Sequence, residues 1–151
     1  MESIRKPLIR FSFYVKLYTY TEDQMSKRLI ASKNAPAAVG PYSQAIATKE
    51  LVFTSGQIPL DPVTGEIVGE TAAEQAVQVF ENLKAVLKEA DLTLDDVIKS
   101  TVFLTDLADF GAVNEVYAKY FEEPYPARSC FQVVALPKGA KIECEVIATR
   151  Q

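Results

Sequence analysis

Arg128 is the only arginine between Leu29 and Thr149; every other cation in that span is a lysine. It stands in Pro126-Ala127-Arg128-Ser129-Cys130, at the root of an apolar run reaching Leu136. A guanidinium is a rigid planar fork that grips a carboxylate through two parallel hydrogen bonds, and it stays charged when partly desolvated. Arg128 is therefore a candidate anion clamp. The alternative is a surface arginine whose stem packs down while its head stays wet. Farther on, Lys141-Ile142-Glu143-Cys144-Glu145-Val146 alternates with period two, so Glu143 and Glu145 share one strand face. A carboxylate beside an anion clamp can hold a water and shuttle its protons as general acid or base. Spacing does not choose between Glu143 and Glu145, and a solvent-facing pair is the plainer account of both.

Three further positions have chemical potential with an ordinary alternative. Tyr42 follows a rigid Gly40-Pro41 corner and either aims its hydroxyl into a pocket or lids the core. In Thr54-Ser55-Gly56-Gln57 a glycine ends a strand-like run, where backbone can approach a ligand closely or simply form a bulge. Cys130 reads equally well as a small buried hydrophobe.

Composition narrows the chemistry. The 151 residues contain no histidine, which removes Ser-His and Cys-His nucleophiles and His-ligated metals. The two cysteines, Cys130 and Cys144, have neither zinc-site spacing nor the number for a disulfide framework. A net charge of −4 argues against nucleic acid or an anionic membrane as partner, and with it against an RNA-cleaving role. Catalysis must run on carboxylates, hydroxyls, backbone groups, Arg, Lys or water.

The elements that would position these groups are legible from residue 25 onward as a single domain. Residues 1–24 read as an upstream extension that the fold does not need, or as an added edge strand. Arg10 and Lys16 interrupt any secretory apolar core there, which fits a cytoplasmic location. After a short apolar run at 29–31, residues 43–48 and 51–57 alternate as a hairpin around Lys49-Glu50. Thr71-Ala72-Ala73-Glu74 is a capping-box sequence opening a helix with Ala76, Phe80, Leu83, Leu87 and Ala90 on one face. Residues 97–105 form a strand. Asp106 caps a second helix carrying Phe110, Val113, Val116, Tyr117, Tyr120 and Phe121 inward. Two closing strands, 128–136 and 141–149, flank Pro137-Lys138-Gly139 and are expected to pair with each other. The order β-β-β-α-β-α-β-β predicts an α+β fold with both helices on one face of a mixed sheet. The other face needs a cover, so oligomerisation through it is expected.

Taken together these segments resemble the RidA/YjgF family of reactive-intermediate deaminases, formerly labelled L-PSP endoribonucleases. The matching stretches are residues 34–42, Thr54-Ser55-Gly56-Gln57-Ile58-Pro59, Val113-Asn114, Pro126-Ala127-Arg128-Ser129-Cys130 and Ile142-Glu143-Cys144-Glu145. The resemblance implies a chorismate-mutase-like fold assembled as a homotrimer, with active sites between subunits. It implies cofactor-independent hydrolysis of 2-imino acids or enamines, such as 2-iminobutanoate and 2-iminopropanoate, to 2-oxo acids and ammonia. By the same resemblance Arg128 binds the substrate carboxylate, assisted by the backbone N–H of Cys130, and Glu143 positions the water. Tyr42, Ser55, Gly56 and Asn114 would line the cleft. A binding or chaperone-like protein using the same cleft is the rival reading; it requires Arg128 but not Glu143.

Overall fold

Thr71 closes the N-terminus of the first helix as the sequence predicts. Its hydroxyl accepts the Glu74 N–H at 3.2 Å, and the Glu74 carboxylate accepts the Thr71 N–H at 3.0 Å. In the computed structural model, which describes residues 27–150, this helix is α1 (Ala72–Lys88). Its buried stripe includes Ala76, Val79, Phe80, Leu83 and Leu87. Ala90 is buried too, but beyond the helix end. Polar residues of α1 are also used inward. Asn82, 1% exposed, donates to the carbonyls of Ile58 and Leu60, and Gln75 accepts the Lys141 N–H at 2.7 Å. Both pin loops that would otherwise leave buried backbone groups unpaired.

The strands are β1 (Arg28–Ile30), β2 (Ala45–Ala47), β3 (Leu51–Thr54), β4 (Val97–Leu104), β5 (Ala127–Gln132) and β6 (Ile142–Thr149). They form one sheet in the order β1-β2-β3-β6-β4-β5. The β2–β3 hairpin turns at Lys49-Glu50 as expected. The second helix, α2 (Phe110–Tyr120), continues from a 3-10 turn at Leu107–Asp109 that Asp106 caps. Val113 and Tyr117 face the core, with Phe121 just past the helix end. Phe110 does not; it is 40% exposed.

Two expectations about the C-terminal strands fail. β5 ends at Gln132 rather than Leu136: the Val133 N–H makes a last bond to the Leu104 carbonyl, and Val134 is fully exposed. Nor do β5 and β6 pair. The α2 crossover returns the chain parallel to β4, making β5 an edge strand on it. β6 then enters antiparallel between β3 and β4, where both its edges are bonded. A parallel neighbour requires a crossover helix, and α2 supplies it.

Residues on alternate positions of the sheet face α1 and α2, among them Val52, Val102, Leu104, Ile142, Cys144 and Val146. Phe80 anchors the layer with its ring edge-on to Tyr117 and Phe121 at 5.7 and 5.6 Å. The opposite face carries bare apolar patches beside polar residues such as Lys99, Ser129 and Glu145. Leu29, Ile46, Phe53 and Ile147 lie side by side across β1, β2, β3 and β6, and Phe103 stacks on Phe131 at 6.3 Å. Leu29, Phe53 and Phe131 are 62%, 42% and 52% exposed. The predicted 1–24 extension lies outside the described residues. Among those described, no helix is long and apolar enough to cross a membrane.

Candidate active site

Glu143 owes its position to a bulge. Between the partners Phe53↔Ile147 and Gln57↔Cys144, β3 and its continuation advance four residues while β6 advances three. The extra residue falls around Ser55-Gly56, which bends the strand end over Glu143. The absence of a side chain at Gly56 makes room for the Glu143 carboxylate, which a Cβ there would overlap and push aside. Gly56→Ala should displace that side chain and lower turnover about tenfold while the sheet stays folded. Steady-state kinetics alongside a thermal melt would check this; unchanged kinetics would show that the close approach is incidental.

Glu143 lines a cavity of about 590 Å³ together with Tyr42, Ser55, Gly56 and Lys138. Burial, and then the neighbouring Glu145, push its carboxyl above the ordinary carboxylate range. That suits a group exchanging protons with substrate. The Ser55 hydroxyl is committed to the Ser43 carbonyl at 2.6 Å, so it shapes the wall as a fixed group. Tyr42, 51% exposed, accepts the Val39 N–H at 3.4 Å. The loop bearing both is held by Gln44, whose buried amide donates to the carbonyls of Ser32, Ala35 and Pro36. Nothing in the local pattern marks Gln44 out; its role appears only when the loop folds back.

Arg128 lies elsewhere. It pairs across β5–β4 with Ser100, whose hydroxyl shares a hydrogen bond with Tyr117 at 2.8 Å. Its guanidinium carbon sits 4.5 Å from the centre of the Tyr117 ring and 5.4 Å from that of Phe110. The two rings lie against the guanidinium and restrict where its fork can point. It is exposed and makes no ion pair; the one ion pair among the described residues is Lys84–Glu81. Asn114 is one turn after Phe110 and one before Tyr117, on the same face of α2 as these rings.

The Cys130 backbone is better placed than its thiol. Val133 bonds inward to β4, so by strand alternation the Cys130 N–H points off the free edge of the sheet. The thiol packs against the core, where burial raises its pKa despite Arg128 nearby. It is a poor nucleophile, while its N–H is a free donor.

Arg128, Cys130 and Asn114 therefore form one group, and Tyr42, Ser55, Gly56 and Glu143 another. They do not meet in one chain. Arg128 lies in a lateral row with Ser100 and Val146 on the helix-bearing face, whereas Glu143 lies in a row with Phe103 and Phe131 on the bare face. The approach of a carboxylate, Glu143 or Glu145, to Arg128 that direct pairing of the two strands would give is absent because β4 stands between them. The rings of Phe110 and Tyr117, and Lys138 in the cavity, are site features the sequence did not reveal as such.

A mixed sheet with both helices on one face and a cleft at a bulged strand end defines an α+β protein of the chorismate-mutase-like class. A family profile described as Endoribonuclease L-PSP matches residues 32–150. The chain is 51% identical over 125 residues to Reactive Intermediate Deaminase A, chloroplastic, of Arabidopsis thaliana, spanning 83% of this chain and 67% of that one. It is 44% identical over 124 residues to the 2-iminobutanoate/2-iminopropanoate deaminase of Capra hircus, spanning 82% and 90%. The crystal structure of E. coli TdcF with bound serine matches with a TM-score of 0.78 at 49% identity, covering 82% of this chain and 99% of that one. The chain belongs to the RidA/YjgF family of reactive-intermediate deaminases.

Proposed function

We propose that this protein hydrolyses small 2-imino acids and their enamine tautomers, such as 2-iminobutanoate and 2-iminopropanoate, to 2-oxo acids and ammonia. The site is a cleft completed by a second copy of the chain within a homotrimer. The observation that carries this reading is the division of the site: a free guanidinium against the Tyr117 ring on one face of the sheet and a shielded carboxylate on the other. Head-to-tail packing in a closed ring brings the edge of one subunit to the cavity of the next. The bare face with Leu29, Phe53 and Phe131 is the surface such packing would cover. Two relatives support the chemistry: the goat protein is named for these imines, and the TdcF structure holds serine, a small molecule with a carboxylate.

Arg128 would take the substrate carboxylate bidentately, with the Cys130 N–H and Asn114 as further polar contacts. Glu143 would take a proton from water as its oxygen adds to the imine carbon and pass it to the imine nitrogen, giving a carbinolamine. It would then move the carbinolamine hydroxyl proton to the same nitrogen as the carbonyl forms, the C–N bond breaks and ammonia leaves. The imine carbon is already electrophilic, so orientation and a placed water suffice without metal or organic cofactor.

The test is release of 2-oxo acid and ammonia from freshly generated 2-iminopropanoate, with the oligomeric state followed by light scattering. Arg128→Ala and Glu143→Gln, each impaired alone, are then mixed by co-refolding. In a random ring about a quarter of the clefts join an intact Arg128 to an intact Glu143, and activity should return to that level. No recovery on mixing, or an active monomer, would sink the shared cleft. Absence of imine hydrolysis by the unmodified protein would sink the function.

A further inference from the structure

Lys138 is the one cationic side chain among the described residues lining the Glu143 cavity. It sits at φ 55, beside Gly139 at φ 70. A left-handed backbone is unfavourable for any residue with a Cβ and free for glycine. A lysine at a strained backbone position lining this cavity points to use of its side chain. That use is visible. Lys138 Nζ donates to the Gly65 carbonyl at 2.7 Å, joining two exposed turns that both line the cavity. The acceptor is held in place: Asp61 takes the N–H groups of Val63 and Thr64 on its carboxylate and the Gly65 N–H on its carbonyl. Neither Arg128 nor Glu143 is involved, so this contact lies outside the catalytic roles assigned above.

We propose that Lys138 is a specificity-determining residue, a strap across the cavity rim that limits the length of side chain a 2-imino acid can carry. The proposal rests on the imine reading above. Exposed Val63 and partly exposed Leu60 and Pro62 give that side of the cavity an apolar lining, suited to a hydrocarbon chain. With the strap in place the two turns form a fixed wall. Without it the base of the Asp61–Gly65 turn stays pinned by Asn82 and the Leu60↔Ile67 bridge, while its tip loses the tie to the Lys138 turn and can swing outward to admit a longer chain. A hydrocarbon pocket discriminates about tenfold per methylene that it cannot accommodate.

The experiment compares 2-iminopropanoate with 2-iminohexanoate, each generated in place from its amino acid by an amino-acid oxidase. The readout is the ratio of kcat/KM for the long substrate to that for the short one. Lys138→Gly removes the strap and relieves the backbone, so it should melt no lower than the unmodified protein while the ratio rises at least about tenfold, the value for one of the three added methylenes. Lys138→Arg keeps a donor of similar reach and should hold the ratio near its original value. An unmoved ratio in Lys138→Gly overturns the proposal, as does an equal rise in Lys138→Arg. Turnover of either imine by the unmodified protein tests the underlying reading separately. If neither is hydrolysed both ideas fall; if they are hydrolysed and the ratio stays put, only the strap does.

Discussion

Arg128→Lys is expected to lower kcat/KM for 2-imino acids about a hundredfold, nearly as far as Arg128→Ala, with the fold intact. Lysine keeps the charge but loses the fork, and a bidentate charge-assisted contact in a shielded cleft contributes on the order of 3 kcal/mol. The fold should tolerate the change because Arg128 is exposed, without an ion-pair partner, and touches the protein mainly through the rings of Tyr117 and Phe110. Stacking of this kind contributes about 0.5–1 kcal/mol at an exposed site, a shift of roughly 1–4 °C in melting temperature. A large kinetic loss against a small thermal one is the signature of a binding residue. Near-normal hydrolysis by Arg128→Lys would return Arg128 to a packing role.

The same residue shows where sequence reasoning reaches and where it stops. Its singularity among lysines and its place at the start of a strand could be read directly, though not where that strand ends. So could the capping box at Thr71 and Glu74, the hairpin at Lys49-Glu50 and the alternation through Glu143, because each depends on residues within a few positions of one another. Strand order depends on something else. That β6 threads between β3 and β4 follows from the α2 crossover and from which sheet edges remain unpaired, neither of which is encoded in the 141–149 segment. Pairing the last two strands directly would set a carboxylate of β6 beside Arg128, whereas β4 lies between them. Phe110 misled for a related reason: at helical spacing it counts as core, yet the helix starts at the sheet edge, where the ring serves as a platform for Arg128. Gln44 and Lys138 were invisible because their partners, at Ser32–Pro36 and Gly65, are brought in by loops without periodicity.

Glu143→Gln should give the opposite pairing of effects from an ordinary core substitution: much less activity and somewhat more stability. A group that moves protons in the transition state affects kcat more than KM, and general acid–base catalysis contributes about 10²–10⁴-fold. Glutamine keeps the shape beside Gly56 and cannot exchange a proton, so kcat should fall by about that range with KM nearly unchanged. Stability moves the other way because burial and Glu145 raise the carboxyl's pKa in the fold above its ordinary 4.5. Between those two values the folded chain binds more protons than the unfolded one, so stability declines as pH rises through the window. At neutral pH the charged Glu143 is a net burden, which glutamine removes. The gain in melting temperature should therefore be present at pH 7 and vanish as pH falls below the ordinary carboxylate value. The kinetics should agree: the acid limb of the unmodified protein's kcat/KM profile lies above the ordinary carboxylate range and is lost in the variant. Full kcat in Glu143→Gln would remove Glu143 from the proton transfers and leave water activation to another group. Loss of stability at neutral pH would show that the carboxylate is held by contacts that favour its charge.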